Sequence, residues 1–241
     1  MEETKTKTKK TAESSDFSVQ EMSETGMHFG HKTFRTHPKM KPHVSGTRGG
    51  VHMIDLEKTA QGLKEALDFV KTLISSGKKL LLVGTKVQVK NIVKETAKEA
   101  DLFYINERWL GGTFTNFGTI KKRLDYFKDL ESKKATGQLA KYTKKERAKI
   151  DKKLMDLEAK FGGIKNLEKL PDAIFVLDMR KDYLAIKEAN EKNIPVIAIA
   201  DTDIDPSVAD FPIPANDDAI PAVKYILEKL KETVLKNKPE K

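Results

Sequence analysis

The segment from His28 to Gly50 carries Lys32, Arg35, Lys39, Lys41 and Arg48 and not one acidic side chain. All five histidines of the chain, His28, His31, His37, His43 and His52, fall within or just beyond it, and Phe29 and Phe34 are interleaved. Lysine and arginine bind phosphates, and aromatic or imidazole rings stack on unpaired bases, so the pattern suits folded RNA. Two rival readings use the same residues. A metal site on His28, His31 and later histidines would lack cysteine and a His-Glu-x-x-His helix. An ordinary basic loop would need no ligand at all.

Two turns add candidate phosphate contacts. Glu107 to Asn116 follows a strand candidate and holds Arg108, the only Trp (Trp109), Gly111, Gly112, Thr113 and Asn116. Ligands of parallel sheets lie beyond the C-terminal strand ends, and a glycine pair lets backbone approach an anion closely. Gly84-Thr85-Lys86, at a strand-to-helix turn, offers amides and an ammonium group in the same way. Neither G-x-G-x-x-G nor G-x-x-x-x-G-K-[ST] occurs, nor a G-x-S-x-G elbow, so neither cofactor nor catalysis is expected. Asp201-Thr202-Asp203-Ile204-Asp205 opens like a calcium loop, but Pro206 and Pro212 stand where Gly and Glu are needed. From Asp201 to Asp218 there are six Asp and no Lys or Arg. This predicts an acidic surface that avoids RNA and faces solvent or a basic protein. Asp217-Asp218 reads as N-terminal charge on the last helix.

Positioning these groups takes a folded core, and the composition allows one. Of 241 residues 38% are apolar, while 34% are charged, above the roughly 25% usual for globular domains. The net charge is +9, which attracts polyanions. Without cysteine there are no disulfides or thiolate sites. No apolar run approaches the roughly 20 residues of a membrane span, and Met1 to Asp16 is not patterned as a secretory signal. No membrane partner is expected, and the chain reads as cytoplasmic.

Residues 1–16 and 236–241 are polar and read as disordered tails. From Val51-His52-Met53-Ile54 onward, apolar strands alternate with amphipathic helices. Further strand candidates are Leu80–Val83, Leu102–Ile105, Ala173–Leu177 and Pro195–Ile199. Helices are predicted over Glu57–Ser75, Lys86–Ala100, Tyr183–Glu191 and Asp217–Leu235. This rhythm predicts a parallel sheet with helices on both faces, an α/β domain over 17–118 and 171–235. It breaks over 119–170, where Ile120, Leu124 and Phe127 form one helical stripe and Ile150, Leu154, Leu157 and Phe161 another. An inserted two-helix hairpin with a heptad-like seam is predicted. Thr119 to Leu170 holds 16 Lys plus Arg against 8 Asp plus Glu, a local charge of +8, making it a second candidate RNA surface.

Taken in order, these landmarks resemble a known family. They are Gly26-Met27-His28-Phe29-Gly30-His31, Pro38-Lys39-Met40-Lys41-Pro42, Ile54-Asp55-Leu56-Glu57-Lys58-Thr59, Val83-Gly84-Thr85-Lys86, Arg108-Trp109-Leu110-Gly111-Gly112 and Thr115-Asn116. Gly162-Gly163-Ile164, Leu170-Pro171-Asp172-Ala173, Ile186 to Asn190, Ile194-Pro195-Val196, Asp201-Thr202, Asp205-Pro206 and Ile213 to Ile220 continue them. From about Phe17 to Val234 the chain resembles bacterial members of the universal small-subunit ribosomal protein two (S-two) family. The resemblance implies a flavodoxin-like, three-layer, five-stranded parallel sheet with an inserted α-helical coiled-coil hairpin. It implies a structural constituent of the small subunit that binds small-subunit rRNA between head and body and helps dock neighbouring ribosomal proteins, ribosomal protein one among them. Two departures stand out. Many members carry a further basic residue and a Trp where this chain has Phe34-Arg35-Thr36-His37, and Ala215 replaces a usual Gly. The alternative from a different class is an enzyme holding a nucleotide or sugar phosphate, which would need a deep pocket beside Gly84, Gly111 and Gly112.

Overall fold

A computed structural model describes residues 17–238. The tail expected over 1–16, and the end of the one expected over 236–241, lie outside the described residues. The chain begins with a short helix, α1 (Val19–Glu24), and then strands β1 (Phe29–Lys32), β2 (Val44–Arg48) and β3 (Val51–Ile54). There follow α2 (Leu56–Ser75), β4 (Leu80–Val83), α3 (Lys90–Ala100), β5 (Phe103–Ile105), α4 (Phe117–Ala135) and α5 (Lys144–Phe161). The last elements are β6 (Ala173–Val176), α6 (Tyr183–Glu191), β7 (Val196–Ala200), β8 (Phe211–Pro214) and α7 (Ile220–Asn237).

Strands β4 to β8 form one all-parallel sheet in the order β5-β4-β6-β7-β8. Numbered from β4, this is the flavodoxin-like order 2-1-3-4-5, whose switch point lies between β4 and β6. Burial explains the continuous apolar runs, because each face has its own core. Leu80, Leu82, Phe175, Ile197 and Ile199 meet α2, α3 and α7 on one side. Leu81, Val83, Ile174, Val176 and Ala198 meet α4, α5 and α6 on the other. Period-two alternation thus sends neighbouring residues into opposite layers.

The structure differs from the sequence reading at four elements. Val51–Ile54 does not join the parallel sheet; as β3 it is the centre of a separate antiparallel sheet, β1-β3-β2. The fifth parallel strand is β8, with Pro212 and Pro214, residues that sheets tolerate at an edge where no ladder donor is needed. Helix α3 starts at Lys90 rather than Lys86. Helix α7 starts at Ile220 and continues to Asn237, two residues into the segment read as a tail. The inserted segment forms two helices, α4 and α5, in contact with each other. Both predicted stripes point inward: Ile120, Leu124, Phe127, Leu154, Leu157 and Phe161 are buried in the second core.

Candidate nucleic-acid interface

The basic segment folds as the small antiparallel sheet, with short 3-10 turns at Thr33–Arg35 and Pro38–His43. It is fastened to the end of β7. The backbone N–H of His37 donates to the Thr202 carbonyl at 2.8 Å, and that of His31 donates to Thr202 Oγ1 at 2.8 Å. Gly30 makes this approach possible, since a Cβ there would lie 2.5 Å from Thr202 Cγ2. Met40 is fully buried and anchors the second turn in the second core.

The exposed surface of this segment is cationic, with Lys32 and Arg48 on strands and Arg35 and Lys41 on the turns. Lys32, Arg35, Lys41 and Arg48 are exposed, and none forms an ion pair with a described residue. Phe34 is 76% exposed with the Arg35 guanidinium 5.8 Å from its ring centroid, and Phe29 is 46% exposed against the His28 ring. A groove of about 550 Å³ runs between the turns and β2, lined by Thr33, Thr36, Lys41, Ser45, Thr47 and His52. Lys39 is exposed but bridges to Asp205 Oδ2 and Ser207 Oγ, each at 2.7 Å. Its hydrogen bond holds the Asp205 carboxyl below the usual range. Such an exposed pair is weakened by solvent and salt, so a phosphate can compete for the ammonium.

The histidines do different jobs. His31 turns inward, with Nδ1 3.1 Å from Asp201 and Nε2 3.7 Å from Asp218 and 3.9 Å from Asp203. The Asp201 contact, against the opposing effect of burial, raises its pKa to about 9, so the ring is an imidazolium at neutral pH. His37 is half-buried and its Nδ1 accepts from the Lys39 N–H at 3.4 Å. Burial lowers the pKa of His43. His28 is half-buried. Among the described residues no group of three or more His, Asp or Glu is placed to hold a metal ion.

Lys86 is paired within the protein. Its ammonium does not stand open at the β4 turn. It lies 2.6 Å from Asp218 Oδ1, 3.0 Å from Asp217 Oδ1 and 3.1 Å from Asp178 Oδ2, with its side chain only 16% exposed. Burial opposes the charge, but the bonds to Asp218 and Asp217 prevail and hold Lys86 above its ordinary pKa. Burial, with Asp178 and Asp201 nearby, pushes the Asp217 carboxyl up to about 7 despite Lys86. The Asp201–Asp218 stretch is therefore not simply a solvent-facing acidic surface, since Asp201 and Asp217 are buried. Asp217 is also no helix-end charge, since it faces Lys86. The adjacent amide is occupied too: the Thr85 N–H donates to Asp182 at 3.1 Å and its hydroxyl donates at 2.7 Å. A Cβ on Gly84 would come within 2.8 Å of Leu177 and Val93. The switch-point crevice where this fold usually holds a ligand is filled by the protein itself.

The 107–116 turn is a real anion cradle with an internal occupant, Glu188 of α6. Its Oε1 accepts from the Gly112 N–H at 2.8 Å and the Trp109 indole N–H at 3.2 Å. Its Oε2 accepts from the N–H groups of Phe114 at 2.9 Å and Thr115 at 3.1 Å, and from the Thr115 hydroxyl at 3.2 Å. Gly112 takes φ +89°, a conformation that favours glycine. Trp109 is buried edge-on against Phe114 at 4.9 Å, so it does not offer a face for base stacking, and Thr113 is buried with its hydroxyl donating to the Leu110 carbonyl. Trp109, Gly112 and Thr113 thus build the loop, whereas Arg108, Gly111 and Asn116 are exposed. Sequence reasoning missed Glu188. Its one trace is an acid on the buried face of α6, between Ala185, Ile186 and Ala189.

On the hairpin, Lys133 pairs with Asp129, Lys134 with Asp151 and Lys165 with Glu131. Exposed Lys121, Lys122, Arg123, Lys128, Lys144 and Arg147 pair with no described acid. Among the described residues no helix is long and apolar enough to cross a membrane.

Comparison with known proteins adds independent findings. Residues 22–237 match the family described as Ribosomal protein S2. The chain is 45% identical over 218 residues to the small ribosomal subunit protein uS2 of Roseiflexus sp. (strain RS-1), covering 90% of this chain and 83% of that one. It is 45% identical over 217 residues to the protein of that name from Chloroflexus aurantiacus, covering 90% and 91%. Chloroflexus aggregans has a relative matching to the same extent, 45% over 217 residues.

Proposed function

Because this chain belongs to the ribosomal protein S2 family, whose members are structural and non-enzymatic parts of the small subunit, we propose that it binds small-subunit rRNA and helps dock neighbouring ribosomal proteins. The contact surface in this reading is the exposed surface of the basic segment, carried on by Arg108, Gly111 and Asn116 and, at a second place, by the hairpin acting as a coiled-coil arm. One observation carries it: Lys32, Arg35, Lys41 and Arg48 stand exposed and unopposed beside exposed Phe34 and Phe29. Cations without carboxylate partners are free to release counterions from a phosphate backbone. Such contacts fix position and orientation on a folded RNA and leave its sequence unread. Lys39 joins them by exchanging Asp205 for a phosphate. Neighbouring proteins, ribosomal protein one among them, dock on the same particle, and the protein works in the cytoplasm. The enzyme alternative finds no support at Gly84, where side chains fill the crevice, or at Gly112, where Glu188 does.

The test is sucrose-gradient sedimentation of lysate with and without RNase. The protein is expected to travel with small subunits and to move to the top of the gradient after RNase. Sedimentation unchanged by RNase, or at the top from the start, would sink the reading. Arg108→Ala should weaken incorporation several-fold at moderate salt.

A further inference from the structure

Glu188 is buried in the molecule, yet its carboxylate takes the place an external anion would occupy. Five donors converge on it: three backbone amides, the indole N–H of Trp109 and the Thr115 hydroxyl. Backbone amides turned toward one point are the means by which proteins hold phosphates. Here they are saturated from within, so the loop cannot wait for RNA to order it. Arg108 and the Asn116 side chain, whose Oδ1 accepts from the Thr119 hydroxyl at 2.9 Å, are exposed on either side of the saturated arc in sequence.

We propose that Glu188 is a positioning residue for rRNA binding: a built-in anion that sets the 108–116 loop before RNA arrives, so that Arg108 and Asn116 meet the phosphates already in place. This rests on the rRNA-binding reading above. Preorganisation matters because a loop ordered only on binding subtracts its ordering cost from affinity. The strength of the bonds follows from their charge, since hydrogen bonds to a carboxylate are roughly twice as strong as neutral ones. Burial opposes the charge on Glu188, but the amides of Phe114, Gly112 and Thr115 and the Trp109 indole hold its pKa below the ordinary value.

The sole Trp touches the carboxylate, so its fluorescence reports occupancy of the cradle. Full-length wild type, Glu188→Ala and Glu188→Gln are titrated with sodium formate against sodium chloride at equal ionic strength. Trp109 emission and affinity for a small-subunit rRNA fragment are both read. We expect Glu188→Ala to shift the emission and weaken RNA binding about tenfold. Formate, a free carboxylate, should restore part of both, whereas wild type should respond to formate as to chloride. Glu188→Gln keeps the shape and one acceptor but faces amide N–H groups with its own NH₂. It should bind RNA with an intermediate loss, and it stands in for the alanine variant should that fail to fold. Glu188→Ala binding RNA as tightly as wild type would overturn the proposal. So would a loss that formate leaves untouched while the fold persists, or, with the glutamine variant alone, wild-type affinity. Wild type that binds no RNA, or that loses nothing with Arg108→Ala, would instead break the rRNA reading, while formate recovery of Trp109 emission would still mark the cradle.

Discussion

The exposed and the inward sides of the basic segment use the same residue types for opposite ends. Outside, Lys32, Arg35, Lys41 and Arg48 have no acid within reach among the described residues. Inside, His31 and the nearby Lys86 are spent on Asp178, Asp201, Asp203, Asp217 and Asp218. The difference teaches that a cation is a ligand-binding group only where the fold leaves it unopposed. The inner cluster is a fastener: it ties the basic sheet to the C-terminal ends of the parallel strands, so that the outer cations ride on a fixed platform.

The sharpest way to break this comparison is to remove the fastener. Lys86→Met keeps the length of the side chain and deletes its charge, taking from the buried Asp178 and Asp217 the ammonium that pairs with both. Removing one partner of a buried ion pair costs about 3–5 kcal/mol, and the exposure of Asp218 places the expected loss near the lower end, about 3 kcal/mol. Urea denaturation of the free protein measures it. A loss under about 0.5 kcal/mol would mean that Lys86 is available after all, and that its assignment to the fold is wrong.

How far the sequence reached depended on whether a signal is local. Strands β4 to β7 were legible because a strand covered on both faces is apolar throughout, and α2, α4 and α5 because their stripes recur at helical spacing. Strand β8 was not, because its prolines read as loop until an edge position is known to tolerate them. The exposed cations of the basic segment could be named from the absence of nearby acids. The inward roles of His31, Lys86 and Trp109 could not. Their partners lie far along the chain, Asp201 from His31, Asp217 from Lys86 and Glu188 from Trp109, and only tertiary folding brings them together. Gly112 was read as a phosphate-cradle glycine, and its N–H donates to the protein's own Glu188 carboxylate.

A second, smaller effect sharpens the comparison through pH. The folded pKa of His31 is raised from 6.5 to about 9, so its protonated form is favoured by folding. Its contribution is therefore fully present below pH 6.5 and is lost as pH rises through about 9. Asp217 leans the same way: raised from 3.8 to about 7, it favours the folded state while protonated and withdraws that support as pH rises toward 7. Facing His31 are Asp201, Asp203, Asp217 and Asp218, with Lys86 the nearby cation. His31→Gln should cost on the order of 2 kcal/mol at pH 6, discounting for partial exposure, and little at pH 10. Denaturation midpoints of both proteins across that range decide it. A penalty that does not shrink above pH 9 would assign His31 a packing role instead of a charged one.

The smallest effect on stability carries the most about function. Arg48 closes β2 on the exposed edge of the basic sheet, with no ion pair to a described residue and no buried surface to lose. Arg48→Ala should therefore leave the urea midpoint within the equivalent of about 0.5 kcal/mol. The same change should weaken rRNA binding and flatten the plot of log affinity against log salt by about one unit, the signature of one lost phosphate contact. His31→Gln is the counterpart: lower stability, with the salt slope unchanged wherever the protein is folded. If instead Arg48→Ala lowers stability and leaves the slope alone, the outer cations belong to the fold as much as the inner ones do, and the division between the two sides disappears.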